Sequence, residues 1–490
     1  MGSRSTNNTS IFRSIDWVIV ILYMMLVVGG AISIYAASYD FDNASIFSFD
    51  EFSGKQIRWI GFSLILGVVL LLIDRRMYET YAYPIYFAIV VLLMVTIVIA
   101  PDIKGSRSWL VLGPMSLQPA EFGKFATALA LAKLFSGYNF TLNAKGTNYV
   151  KAIFIIFLPI ILILAQKETG SALVYLSLVF VLYREGMSGL VLFAIAFAIS
   201  IFVVTLKYTT SAVMGVPTGE FIVFIMANLA MAGVAAFFSK RPIVARNLML
   251  WILFVTIVIV SVAGIGGVKL PGFAIMLSVT IVGMIYCVYE VIKSHSSRLF
   301  MPIIVAASSL VFMMSVDYVF NKALQPHQQT RIKVLLGIEE DLLGKGYNVN
   351  QAKIAIGSGG LTGKGFLNGT QTKLKYVPEQ HTDFIFCTIG EEEGFVGSTI
   401  TILLFLILIL RILKIAERQP TTFGRVYAYC VASYFIFHLC INIGMVIGLC
   451  PVIGIPLPFF SYGGSSLWGF TVLLFILLRI DASRKEFRNY

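Results

Sequence analysis

Charge is what this sequence has least of. Only 13% of its 490 residues are Asp, Glu, Lys or Arg, about half the ~25% of an ordinary soluble chain. Hydrophobic residues make up 58%, and the mean hydropathy is +0.87. A water-soluble globule with a charged shell is excluded. Cysteine is scarce too. The five, Cys287, Cys387, Cys430, Cys440 and Cys450, show no CxxC or metal-ligand spacing and read as small apolar packing residues. Acid is short relative to base, giving a net charge of +12. In a soluble protein that excess would suggest nucleic acid; here its distribution assigns it to membrane topology, and no nucleic-acid partner is expected.

Long apolar runs are what the sequence has instead. Each run of 18 or more residues crosses ~30 Å of hydrocarbon as a helix. Spans are expected near 16–37, 56–73, 82–100, 118–135, 150–165, 171–184 and 187–206. Others follow near 220–239, 247–264, 272–292, 299–320, 395–413, 426–447 and 463–479, about fourteen in all. The expected fold class is an all-α polytopic membrane protein. The first run follows Arg4 and Arg13 but exceeds a signal-peptide core, so it reads as an uncleaved helix. With the N-terminus inside, more than half of the 37 Lys and Arg fall on cytoplasmic connections and span ends. Arg75/Arg76, Lys240/Arg241/Arg246 and Arg411/Lys414/Arg418/Arg425 are examples. The positive-inside rule then puts both termini in the cytoplasm and segment 321–394 outside.

That outer segment, about 74 residues without a span, is far longer than an ordinary connection. Apolar clusters such as "KIAIG", "GFL" and "DFIF" punctuate its polar turns, so it should fold down onto the helices. Its "GSGGLTGKG" (357–365) is no ATP-binding loop: Ser358 stands where a glycine is needed, and Gly365 where Ser or Thr is needed. Two readings remain for it, a backbone cradle for an anion with Lys364 as a point charge, or a compact turn. "YVPEQHTDFIF" (376–386) sets Glu379, His381 and Asp383 just before an apolar stretch, and Glu391–Glu393 follow in "GEEEGF". Crowded carboxylates at a half-desolvated rim push one pKa upward, as a general base near neutral pH requires. The plainer reading makes Asp383 the N-cap of a helix starting at Phe384, assisted by Thr382.

Charges inside spans are rarer. "QPAEFGK" puts Glu121 and Lys124 at i and i+3 on one helix face, and "AQKETGSA" places Lys167 and Glu168 at an outer junction. Such groups line an interior cavity by default, or else pair to pin two helices. His438, alone on an apolar span, reads as a packing histidine, while His327 and Arg331 in "PHQQTR" would suit a phosphate near the headgroups.

The stretch from "GYNVNQAKIAIGSGG" through "GTQTKLKYVPEQHTDF" to "EEEGFVGS", with "NIGMVIGLCPVIGIPLPFFSYGGSS", closely resembles the SEDS family (shape, elongation, division and sporulation). Within it the wording matches the RodA branch rather than the FtsW branch. Agreement covers about 56–206 and 301–480. The resemblance implies a peptidoglycan glycosyltransferase of the bacterial cytoplasmic (inner) membrane. It would polymerise lipid II, an undecaprenyl-pyrophosphate-linked disaccharide peptide, at the outer (periplasmic) face during cell-wall elongation. It also implies a partner, a class B penicillin-binding protein transpeptidase. The family's aspartate in its HTDF motif falls on Asp383, its glutamate and lysine on Glu121 and Lys124, and one arginine on Arg331, with Gln329 at the preceding basic position. Glu168 replaces the family's aspartate, Lys167 its proline, and the arginine of a "GAxRW" pattern moves to Arg107.

The expected division is 1–206 for the N-terminal SEDS helices, 207–298 for about four inserted helices, and 299–320 for a helix leading out. Segment 321–394 is the outer loop, and 395–490 carries the C-terminal helices. Chemically, Asp383 is expected to be the base in an inverting transfer. Arg331, Lys364 and Lys124 are candidates for the pyrophosphate, with Glu121, His381 and Thr382 near it. Glu121 and Lys124 have shaping the cavity as their alternative role. No cofactor is required, although a divalent cation (Mg²⁺ or Mn²⁺) bridging to a carboxylate stays open. The rival function is a lipid II flippase, which many spans and intramembrane charges would equally suit.

Overall fold

The computed structural model describes residues 14–39, 51–103, 105–113, 115–144, 146–209, 211–213, 215–265, 271–324, 326–338 and 346–484. In hydrocarbon each backbone N–H and C=O must find its partner within its own segment, so the apolar runs become helices. Among the described residues, twelve helices are long and apolar enough to cross a membrane. The other two expected spans are shorter. Pro119–Phe135 has 17 residues and carries Glu121 and Lys124. The run at 171–184 is broken into Thr169–Tyr175, a 3₁₀ turn at Leu176–Leu178, and Val179–Arg184. The chain divides into two compact units, Met1–Met187 with Tyr347–Tyr490, and Ser188–Gly346.

In the first unit the last two helices form the centre. Of the most apolar 18 residues of Gly464–Ala482, 89% are buried, and 67% for Thr422–Val446, against 28% for Phe52–Leu72 and for Ala82–Ile99. The outer helices present Ile65, Phe87 and Val98 outward, as a lipid-facing surface requires. Tyr23 packs edge-on against Phe459 and Phe475 at 5.1 and 5.2 Å, joining the first helix to the centre. A short antiparallel hairpin, Leu110–Leu112 with Met115–Leu117, leads into Pro119–Phe135. Ser465 fastens it, accepting from the Gln118 N–H and donating to the Ser116 carbonyl, both at 3.1 Å. At the termini's end, buried Asp16 and Asp481 are matched by Arg411, Arg418 and Arg484. Two buried carboxylates persist there because guanidinium forks satisfy them.

The second unit holds Gly189–Lys207, Thr218–Gly233, Pro242–Ile265, Gly272–Ser294, Phe300–Tyr318 and Pro326–Leu335. Phe224, Val223, Ile201 and Met313 fill one of its cores, and Met231, Leu248, Cys287 and Ala306 another. Asn228 bonds Thr280 at 3.0 Å across two of these helices. Within 207–298, where about four inserted helices are expected, three long helices are described, Thr218–Gly233, Pro242–Ile265 and Gly272–Ser294.

Candidate active site

The site is built on a turn. Glu379 takes a left-handed backbone, φ 54°, and its carbonyl accepts from the N–H groups of Thr382 at 3.1 Å and Phe384 at 3.3 Å. The following helix, Ile385–Glu392, has Phe384 at its N-cap position. Asp383 stands one residue before that position. Gln380, buried, donates to the Ala37 and Thr372 carbonyls at 2.6 and 2.9 Å. His381 stacks on Phe52 at 4.2 Å, and its carbonyl accepts from Tyr462 N–H at 2.9 Å. The Thr382 hydroxyl donates back to the Glu379 carbonyl at 3.1 Å. Asp383 rests its carboxylate on Gly454: a Cβ there would stand 3.3 Å from Oδ2. With φ +74°, Gly454 sits in a backbone region that side chains disfavour.

Beneath the turn, helix Thr422–Val446 supplies two polar side chains one turn apart. Asn442 Nδ2 donates to the Asp383 carbonyl at 2.9 Å and to the Ile455 carbonyl at 2.7 Å. His438 Nδ1 lies 3.0 Å from the Pro456 carbonyl, which makes Nδ1 the donor and leaves Nε2 to accept from Lys124 Nζ at 3.1 Å. Lys124 also reaches Glu121 at 2.7 Å and lies 4.3 Å from the centre of the Phe470 ring. Glu121 is 3% exposed and Lys124 1%. His438 is thus more than packing, because it links the buried ion pair to the loop beside Asp383.

The family described as Cell cycle protein (FtsW, RodA, SpoVE) matches residues 16–215 and 221–486. The chain belongs to this SEDS family. MrdB of Escherichia coli K12, named a peptidoglycan glycosyltransferase, is 32% identical over 432 residues, 88% of this chain and 86% of the relative. Treponema pallidum RodA, given the same activity by name, is 30% identical over 429 residues, 87% of this chain and 89% of the relative. A chain solved within a peptidoglycan synthase complex shares the fold with a TM-score of 0.60 at 23% identity, covering 96% of this chain and 98% of that one. The Thermus thermophilus rod shape determining protein RodA does so at 0.54 and 22%, with the same coverage.

In this SEDS chain the glycine-rich loop is a compact turn rather than an open cradle. The N–H groups of Lys364 and Gly365 go to the Glu391 and Glu392 carbonyls at 3.0 and 2.9 Å. Gly363, φ +77°, packs so closely that a Cβ would lie 2.1 Å from the Glu392 carbonyl oxygen. Fully buried Glu391 accepts from Lys364 Nζ at 2.7 Å, from the N–H groups of Gln371 and Thr372 at 2.9 Å each, and from both threonine hydroxyls of "GTQT". Burial alone would raise its pKa, but Lys364, Thr372 and the two amides outweigh burial and hold it below the usual carboxylate value.

Glu392 goes the other way. Burial, with Glu391 and Glu393 adding repulsion, pushes it up to about 6 despite N–H bonds from Leu367 and Gly369. Protonated Glu392 therefore favours the fold. Its contribution is complete below the unfolded value of 4.5 and is lost as pH rises through about 6. The difference is on the order of 1–2 kcal/mol. Melting temperatures of wild type and Glu392→Gln across that window are expected to diverge, the wild type falling relative to the variant as pH rises.

Other expected residues have partners of their own or stand on other elements. Glu168 accepts from Ser106 and Ser108 at 2.9 and 3.1 Å, and Gly170 nearby abuts the Ile453 carbonyl. Arg107 faces Asp102 at 4.0 Å. Arg331 is exposed on Pro326–Leu335, in the second unit. Among the described residues no three His, Cys, Asp or Glu side chains converge as a metal site.

Sequence reasoning missed two residues. Asn442 looked like part of an apolar span. Lys353 is exposed on Tyr347–Ser358, has no ion pair among the described residues, and lays its amine on Gly448 at the C-terminus of Thr422–Val446. Its one legible signal was a basic residue opening "KIAIG". An almost wholly apolar cavity of about 450 Å³ is lined by Ala31, Ile32, Tyr35, Ser53, Ile57 and Phe366.

Proposed function

We propose that this chain is a peptidoglycan glycosyltransferase that polymerises lipid II, with Asp383 as general base. One observation carries the reading. A carboxylate rests on a glycine loop, two residues along the chain from an imidazole stacked on Phe52, and Ser53, which follows Phe52, lines an apolar cavity. A polar reacting head with an isoprenoid anchor needs that combination of wet and oily surface. The proton of the acceptor hydroxyl passes to the Asp383 carboxylate as its oxygen bonds the anomeric carbon. The bond to the diphosphate oxygen breaks on the opposite face, and the anomeric centre inverts.

The departing diphosphate needs cations. Lys124 and Lys364 are held by Glu121 and Glu391, so the proposal gives them structural roles and leaves the phosphates to Lys353. Lys353→Met is expected to raise KM about tenfold with little change in melting temperature, and Lys353→Arg to restore it. Steady-state kinetics on the purified variants check this.

Both termini lie in the cytoplasm and the reaction occurs at the outer face of the bacterial inner membrane, a reading supported by the Lys/Arg distribution. The partner is a class B penicillin-binding protein transpeptidase. The neighbour solved in a complex that coordinates polymerisation and crosslinking supports that pairing. Detergent separates this function from a flippase, because a micelle has no second side to flip to. Purified protein supplied with lipid II should make glycan strands. A folded preparation that makes none, with or without its partner, points to transport.

A further inference from the structure

Asn442 is fully buried, and its amide has no freedom of orientation. Both Nδ2 protons are committed, one to the Asp383 carbonyl and one to the Ile455 carbonyl. Turning the amide over would set Oδ1 against two carbonyl oxygens. Oδ1 itself is buried and takes no hydrogen bond among the described residues. A leucine of similar size would avoid that unsatisfied acceptor, so packing alone is a poor reason for the amide.

What the amide does is join two pieces of chain 59 and 13 residues away from it. One carries Asp383. The other carries Gly454, the surface on which the Asp383 carboxylate rests. One turn earlier, His438 holds the next carbonyl, Pro456, and is itself held by Lys124. Helix Thr422–Val446 thus presents a two-rung clamp whose register is set by a buried ion pair and whose upper rung ends on the residue proposed as base.

We propose that Asn442 is a positioning residue: it fixes Asp383 and the Gly454 floor in one geometry, and so sets turnover rather than substrate binding. This rests on the reading of Asp383 as the base. Displacing a catalytic group by about 1 Å costs on the order of 100-fold in rate, so Asn442→Ala should lower kcat 10- to 100-fold with KM within about twofold. The isosteric Asn442→Asp should be worse, because it replaces the donor with a charged oxygen that faces two carbonyl acceptors. Asn442→Ser, which keeps one donor, should lie between wild type and the alanine variant.

The test measures lipid II polymerisation in detergent for these variants, alone and combined with Asp383→Asn, with melting temperatures alongside. A residue acting through Asp383 makes no further difference once that carboxylate is gone. The double variant should therefore match Asp383→Asn alone. Full activity in Asn442→Ala overturns the inference, and so does an additional loss in the double variant. If Asn442→Ala does not fold, the serine variant carries the same comparison. Full activity in Asp383→Asn instead overturns the base assignment itself, a separate result.

Discussion

Lys124→Met is expected to destabilise the protein by about 3–5 kcal/mol, seen as a lowered melting temperature in detergent and poor recovery of folded protein. The reason is the company Lys124 keeps. Its ammonium, 1% exposed, holds the carboxylate of Glu121 at 2.7 Å and donates to His438 at 3.1 Å. Removing the cation leaves Glu121 charged and buried without a partner, and frees His438 from the helix it is tied to. Removing both charges is different: two apolar or neutral groups of similar shape often cost little. Glu121→Gln with Lys124→Met should therefore recover much of the lost stability. The pair of variants also separates the two roles open to Lys124. A lysine that contacts substrate stays missing in the double variant, and activity stays lost. A lysine that anchors the loop near Asp383 is partly replaced once the unpaired charge is gone, and activity returns with the fold.

Asp383→Asn is expected to lower strand synthesis 10²- to 10⁴-fold, the usual worth of a positioned base. The substitution preserves shape and the backbone bond to Asn442, since that bond is to the carbonyl rather than the side chain. It leaves the Gly454 floor and the His381–Phe52 stack in place. KM and melting temperature should accordingly stay close to wild type while kcat collapses. Asp383→Glu should also be poor, because the added methylene moves the carboxylate by about 1 Å from the position a base must hold.

Much of the fold was legible because hydrocarbon permits so few backbone structures. The apolar runs became helices nearly where expected. The two that fell short differ for local reasons, a charged pair in Pro119–Phe135 and a 3₁₀ interruption at Leu176–Leu178. The Glu121–Lys124 pair could be read from its i,i+3 spacing, since a helix puts such residues on one face. The long-range partners could not. His438 meets Lys124 across 314 positions, and Asn442 meets Asp383 across 59. Local pattern carries no information about either. The cap position falls on Phe384 rather than Asp383, after a turn in which the Glu379 carbonyl takes the amides of Thr382 and Phe384. Nor could local pattern show that Glu391, 27 residues on, holds Lys364.

The most direct measurement is lipid II polymerisation by purified protein in detergent, comparing wild type with Asp383→Asn at matched melting temperature and substrate affinity. The account predicts long strands from the first and a loss of at least about 100-fold in the second. Equal synthesis by both would show that the proton leaves by another route and that Asp383 is not the base.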